Sequence, residues 1–272
     1  MNAVSKHAKS GPAAPGVVRL MGLDFAALSE SETIEHVLQS AAAGRGGWVC
    51  PANVDVLRQW CHSDEVRELV SAADLVVADG MPLIWAGGLQ GSRLPQRVAG
   101  STLTVSLSEA AGRAGASVYL LGGNPGMADA AARKLTERNP DLRIAGTLCP
   151  PYGFEQDRDW LDRIVASLRD AAPDIVFVGL GFPKQERLIV WLRQRMPTAW
   201  FVSCGISFSF VAGEFRRAPV AVQRLGLEWL HRLIQEPRRL FRRYLVQGVP
   251  FLSALFWSAL RVRLRFGARS IS

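Results

Sequence analysis

Seven short apolar runs, most of them followed by a stretch of helical periodicity, dictate most of what this chain can fold into. The runs are GVVRLMG, GWVCPA, DLVVAD, ASVYLLGG, LRIAGTL, DIVFVGLG and TAWFVSCG. Between them lie the helix-like segments SESETIEHVLQSAAA, STLTVSLSEAAGRAG, GMADAAARKLTERNP, DRDWLDRIVASLRDAA and KQERLIVWLRQRMP. Strands joined through helices run parallel, and continuous apolar runs mark strands buried on both faces. The pattern predicts an α/β fold, a mostly parallel sheet with helices on both faces. With 272 residues, 49% of them apolar, the chain has enough to bury one large core.

The alternation stops near Pro219, and the character of the chain changes with it. Residues 216–272 hold twelve arginines, no lysine and two acids, Glu228 and Glu236, for a charge of +10. The whole chain carries +8, so the other 215 residues carry only −2. Three parts are expected: a disordered tail over 1–15, an α/β core over 16–215, and a helical, basic C-terminal appendage over 216–272. The tail MNAVSKHAKSGPAAPG leads into no apolar run of signal-peptide length and does not read as a signal peptide. Cys50, Cys61, Cys149 and Cys204 are scattered, without a CxxC pair, as in a reduced cytoplasmic protein. The histidines, at 7, 36, 62 and 231, are equally dispersed and suggest no metal site.

A basic patch of this strength points to an anionic partner: nucleic acid, membrane surface or phosphate. In EPRRLFRRYLVQ, Arg238/Arg242 and Arg239/Arg243 are spaced four apart and predict a basic stripe on one helix face, which Arg232 joins. A solvated charged face is the plainer reading, but almost no acids compensate. The uncharged run LVQGVPFLSALFWSAL follows, and then RVRLRFGAR. Sixteen residues interrupted by Gln247, Gly248 and Pro250 are short for a membrane span. They fit a helix lying in the membrane interface. Nucleic-acid binding is the lesser alternative, because the arginines are interleaved with long apolar runs and no nucleic-acid-binding fold is recognised.

Ligands of open α/β sheets bind beyond the carboxyl ends of the strands. The residues after each strand therefore form one pool of candidates: Asn53; Asp79 and Gly80; Gly122, Gly123 and Asn124; and 179–186 with Gln185 and Glu186. These four loops are expected to converge on one edge. Asp79, in LVVADGMP, is on pattern alone a strand-ending Asp-Gly turn. Its functional reading is a general base in the cleft. LLGGNPGMADAAARKL is either an ordinary turn or a phosphate cradle made by the first turn of a helix. Neither its glycines nor those of GLGFPK make the dinucleotide fingerprint. In VGLGFPKQERL, Pro183 suits a helix start, and Gln185 can hydrogen-bond a polar ligand. DRD at 157–159 has the form of a metal-binding aspartate pair but precedes a helix and reads as its cap. GISFS lacks the closing glycine of a nucleophile elbow.

Taken together, ADGMPLIW, RVAG, GLGFPKQE and RRAPVAVQRLGLEWLHRLIQEPRRLFRRYL resemble the WecG/TagA/CpsF bacterial glycosyltransferases, over about residues 17–244. The resemblance implies a Rossmann-like core and an appendage that meets the membrane. It implies transfer of N-acetylmannosamine, its uronic acid or a glucose-like sugar from a UDP-sugar to a saccharide on undecaprenyl diphosphate, in cell-surface polysaccharide biosynthesis. The reaction implied is inverting and uses no metal or other cofactor. Carried onto this sequence, the resemblance makes Asp79 the catalytic aspartate. It makes Asn53, Arg97 and Gln185 substrate-binding, and Arg232, Arg239 and Arg242 contacts to the diphosphate; Arg243 joins them by its place in the stripe. The location implied is the inner face of the cell membrane, with self-association as one way to cover the apolar tail.

Three positions depart from the family pattern. Pro51 stands where a threonine is frequent, Ser101 falls in a Gly-x-Asp position, and Ser209 replaces the aspartate of a Phe-Asp pair. These positions are expected to touch sugar hydroxyls and so bear on which sugar is used; they add weight to the exopolysaccharide branch. A leaving diphosphate needs cations, and Arg97 and the appendage arginines can supply them. A non-catalytic scaffold of a polysaccharide assembly complex is the main alternative, against which stand the intact Asp79, Arg97 and Gln185.

Overall fold

The computed structural model describes residues 15–215, 218–219, 222 and 226–267. All but the last residue of the tail expected over 1–15, and the boundary expected at 216, lie outside the described residues. The first apolar run does not enter the main sheet. Strands β1 (Val17–Leu20) and β2 (Leu23–Ala26) form a separate antiparallel hairpin. Val18, Leu20, Leu23 and Phe25 are buried, whereas Val17, Arg19 and Asp24 face solvent. That alternation is the mark of a ribbon with one wet face.

The six remaining strands are β3 (Gly47–Ala52), β4 (Leu75–Ala78), β5 (Ser117–Gly122), β6 (Arg143–Leu148), β7 (Ile175–Gly179) and β8 (Trp200–Ser203). They form one sheet in the order β4-β3-β8-β7-β5-β6, parallel at every pairing. Successive side chains of a strand point to opposite faces. In β7, Val176 and Val178 enter one core while Ile175 and Phe177 enter the other. The helices that cover these faces are α1 (Glu30–Ala42), α2 (Val54–His62), α3 (Asp64–Ser71), α4 (Met81–Gln90), α5 (Gly100–Ala114), α6 (Met127–Arg138), α7 (Arg158–Ala171), α8 (Lys184–Arg193) and α9 (Ser207–Ala212). The first core takes side chains from α2, α3, α4, α7 and α8, the second from α1, α5, α6 and α9.

Beyond the gap in the described residues come α10 (Glu228–Gln235), α11 (Pro237–Phe241), a π-helical stretch (Arg242–Gly248) and α12 (Val249–Gly267). Phe251, Leu255 and Ala259, spaced four apart on one face of α12, are buried in the first core, where α12 packs against α4. Residues Arg242–Arg265 run as one helix of 24 residues, long and apolar enough by length and composition to cross a membrane. This corrects the expectation that Gln247, Gly248 and Pro250 interrupt it. Pro250 cannot donate a backbone N–H. The π-helical stretch just before it bonds with a wider spacing, Val249 N–H donating to Tyr244 O five residues back, and the helix continues.

Candidate active site

The carboxyl ends of β4, β3, β8 and β7, four neighbours in the sheet, open into a cleft of about 320 Å³. The appendage covers it with Trp229, Arg232, Arg243, Tyr244, Val249 and Leu252. Asn53 follows β3 and caps α2: its Oδ1 accepts from the N–H groups of Asp55 at 3.0 Å and Val56 at 3.1 Å. Asp79 follows β4 and stands half-buried at the cleft wall, its own N–H donating to Ala52 O at 2.9 Å. Gly80 has φ of 151°, which side-chain-bearing residues rarely adopt. The sharp turn lets α4 begin at once, with Pro82 in its first turn.

Two ion pairs tie the appendage to the core across this cleft. Arg97 donates to Glu228 Oε2 at 2.6 Å, with both side chains mostly buried. Arg243 Nε lies 3.0 Å from Asp55 Oδ2, and Asp55 also accepts from Arg58 at 2.9 Å. Arg232 lies 3.5 Å from Glu236 and over the ring of Phe210. The cations are thus held in place by carboxylates and a ring, with their charge partly balanced.

Gln185 sits in the first turn of α8. Its Oε1 accepts from the N–H groups of Gly181 at 3.2 Å and Gly205 at 3.1 Å, and so joins the ends of β7 and β8. Its Nε2 donates to Glu186 Oε1 at 2.8 Å. Glu186 is 1% exposed. Burial pushes its carboxyl up to about 7, against Gln185, its own N–H and Ser203, all of which favour the charged form. Burial likewise pushes the thiols of Cys50 and Cys204 up, so neither is a ready nucleophile at neutral pH.

Asn53, Asp79, Arg97, Gln185, Arg232 and Arg243 all line this one cleft. Gly122, Gly123 and Asn124 do not. β5 stands on the far side of β7 from the cleft, so three of the four loops converge and the fourth is left outside. Gly123 N–H donates to Gly179 O at 2.7 Å, a Cβ on Gly122 would meet that oxygen at 2.8 Å, and Asn124 donates to Glu214 at 3.2 Å. Arg242 is exposed and outside the cleft, and the side chain of Arg239 lies outside the described residues. The expected stripe is therefore divided: Arg243 turns inward and Arg242 outward, since adjacent residues on a helix do not share a face.

Of the three departures from the family pattern, Pro51 and Ser101 line the cleft, while Ser209 is buried elsewhere. Asp157 caps α7, accepting from Asp159 N–H at 3.0 Å, which is the capping role read for DRD. Among the described residues no three His, Cys, Asp or Glu side chains gather as a metal-binding group. Glu186 belongs to the pool of strand-end candidates without a role of its own, and nothing in the sequence singles out Asp55 or Ser203. Asp55 looks like solvated helix surface, with Arg58 and Gln59 one turn on. Glu186 carried the better signal, a charge beside Gln185 on a helix that packs against an entirely apolar strand.

The model of the family described as "Glycosyl transferase WecG/TagA/CpsF family" matches residues 18–265, core and appendage alike. The N-acetylglucosaminyldiphosphoundecaprenol N-acetyl-beta-D-mannosaminyltransferase of Bacillus subtilis is 32% identical over 194 residues, which cover 71% of this chain and 73% of that protein. The enzyme of the same name from Bacillus spizizenii is 30% identical over 219 residues, 80% of this chain and 82% of its own. With the family model spanning both the cleft and its arginine-bearing cover, and with these relatives beside it, the chain belongs to the WecG/TagA/CpsF family and is a glycosyltransferase.

Proposed function

We propose that this enzyme moves a sugar from a UDP-sugar to a saccharide carried on undecaprenyl diphosphate, in one inverting displacement that needs no metal. The observation that carries this reading is the meeting of the strand-end carboxylate Asp79 with Arg97, Arg232 and Arg243 in a single cleft. The printed names of the Bacillus relatives specify a diphosphoundecaprenol-linked acceptor, and arginines are well suited to diphosphate. The acceptor hydroxyl attacks the anomeric carbon from the face opposite UDP. Asp79 takes the hydroxyl proton as the new C–O bond forms. The bond to the UDP oxygen breaks, and its electron pair leaves with UDP. Charge growing on the leaving diphosphate is met by arginines already oriented by Asp55 and Glu228. Asn53 and Gln185 offer amide donors to the oxygens of the substrates. Pro51 and Ser101, as cleft residues, are where the choice of sugar would depart from that of the relatives.

The appendage also supports work at the inner face of the membrane. Ile234, Phe241, Val246, Trp257 and Leu264 are each more than half exposed, and Arg238, Arg242, Arg261, Arg263 and Arg265 are exposed among them. Apolar tips can enter the bilayer boundary while each arginine near an anionic leaflet adds about 1 kcal/mol. The deciding experiment is UDP release by the full-length protein, with a lipid-diphosphate-linked GlcNAc acceptor in bilayers, a panel of UDP-sugars, and EDTA. Acceptor-dependent release from one donor is expected and would name that donor. Release only after a divalent metal is restored would remove the metal-free mechanism, and no release from any donor would overturn the substrate assignment.

A further inference from the structure

We propose that Glu186 is a positioning residue, which fixes the side-chain amide of Gln185 so that one N–H of that amide is presented to the sugar-diphosphate substrate. The proposal rests on the substrate reading given above and adds a residue to it. A glutamine amide has one acceptor end and one donor end, and a flip exchanges them. Here three contacts set the orientation. The N–H groups of Gly181 and Gly205 both point at Oε1, where a nitrogen would meet two donors. At the other end Glu186 Oε1, an acceptor when ionised, takes a hydrogen bond from Nε2 at 2.8 Å. The second hydrogen on Nε2 has no protein partner among the described residues, and Gln185, itself nearly buried, lines the cleft.

Glu186 is an expensive residue to keep in this place. It shares the inner face of α8 with buried Leu188, Ile189 and Leu192. Its Oε2 is buried without a hydrogen-bond partner. Trp48 Nε1 donates to Ser203 Oγ at 3.0 Å. A buried carboxylate with few partners destabilises a fold; Gln185 is hydrogen-bonded to this one at 2.8 Å, and the Ser203 hydroxyl also favours its charged form. The groups that face it are Gln185 from its own helix, Ser203 and Cys204 from the end of β8, and Cys50 from β3. Both thiols are pushed up by burial and stay neutral, so Glu186 is the group in this cluster that titrates near neutrality, at about 7. The charged form accepts the stronger hydrogen bond from Gln185.

The test is a double-mutant cycle of Glu186→Gln and Gln185→Ala in the full-length enzyme, read as kcat/KM against pH in the UDP-release assay. Glu186→Gln keeps the shape and one acceptor oxygen but never carries charge. Wild-type kcat/KM is expected to rise through pH about 7. At pH 8, Glu186→Gln is expected to lose about tenfold, the difference between a charged and a neutral acceptor, and to flatten that rise. In the Gln185→Ala background, Glu186→Gln should cost nothing more, because its route to the substrate is gone. Losses that add, or a pH rise that survives in Glu186→Gln, would overturn the proposal; a simple folding defect would appear in both backgrounds. If the wild type releases UDP from no donor, the substrate reading fails first. NMR then decides the positioning claim alone. The Gln185 side-chain amide signals should shift around pH 7 in the wild type and stay still in Glu186→Gln, and wild-type signals that do not move would refute it.

Discussion

The core and the appendage of this glycosyltransferase are held by different forces. The core is a sheet whose central strands are buried on both faces, with hydrophobic clusters on either side. In the appendage, neither α10 nor the π-helical stretch contains a fully buried residue. Among the described residues, one face of α12 and two ion pairs, Arg97–Glu228 and Arg243–Asp55, join it to the core, with Arg232 over the ring of Phe210 and Arg263 donating to Leu89 O. Partly buried ion pairs contribute little net stability, because desolvation offsets much of their attraction. The proposed division of labour follows that difference. The carboxylate Asp79 is mounted on the core, and of the four arginines that line the cleft Arg58 and Arg97 belong to the core and Arg232 and Arg243 to the appendage.

The comparison can be broken from either side. Asp79→Asn leaves the geometry of the core intact and is expected to lower kcat about a thousandfold, the scale of a lost general base. Thermal unfolding and vesicle binding should hardly change. Turnover close to wild type would place the base elsewhere. On the other side, Leu255→Ala removes a buried side chain from the seam between α12 and the core. The expected cost is about 3 kcal/mol, confined to the appendage. Proteolysis should then cut within 242–267 while the amides of the six sheet strands keep their protection against hydrogen exchange. If the strands lose protection together with α12, core and appendage unfold as one unit and the distinction fails.

The two regions were unequally legible in the sequence, for the same physical reason. A parallel strand buried on both faces must be continuously apolar, so all six sheet strands coincide with apolar runs. Helix α4, MPLIWAGGLQ, gave no helical signal: with the core on one side and α12 on the other it needs no polar face. Position at a strand end sufficed to nominate Asn53, Asp79 and Gln185 for the cleft. It could not exclude Gly122, Gly123 and Asn124, because the place of β5 beyond β7 is set by tertiary packing and not by local sequence. Arg97, in a loop without periodicity, entered through the family resemblance alone. In the appendage, a spacing of four pairs Arg242 and Arg243 alike with an arginine one turn back, so it could not say which of the two faces the cleft; that is set by how the helix packs on the core.

Glu186 tests the rigidity of the core from within. Its carboxyl titrates at about 7 in the folded protein, above its ordinary value of 4.5, chiefly because burial penalises the charge. An acid raised in this way stabilises the fold fully below about pH 4.5, and that contribution is lost as pH rises to about 7. Glu186→Gln cannot ionise and escapes the loss. The variant is therefore expected to be about 3 kcal/mol more stable than wild type at pH 8, with the gap closing toward pH 4.5. Urea unfolding at the two pH values measures this. A variant that is less stable at pH 8 would mean that the charge holds the core together, and would remove the idea that it is kept for Gln185.

The smallest effect separates neighbours in the chain. Arg242 faces solvent and Arg243 faces the cleft, one residue apart. Arg242→Ser is expected to weaken binding to anionic vesicles about fivefold, the equivalent of about 1 kcal/mol. That difference should shrink at high salt, since exposed charges are screened. Arg243→Ser severs the pair with Asp55 and should instead lower turnover on a short-chain acceptor in the absence of any bilayer, with vesicle affinity little changed. Equal losses of vesicle affinity in both variants would mean that the inward turn of Arg243 has no functional weight, and that the appendage acts as an undivided basic patch. Unequal losses in the expected directions would assign two tasks to adjacent arginines, docking for one and diphosphate for the other, sorted by the side of the helix each faces.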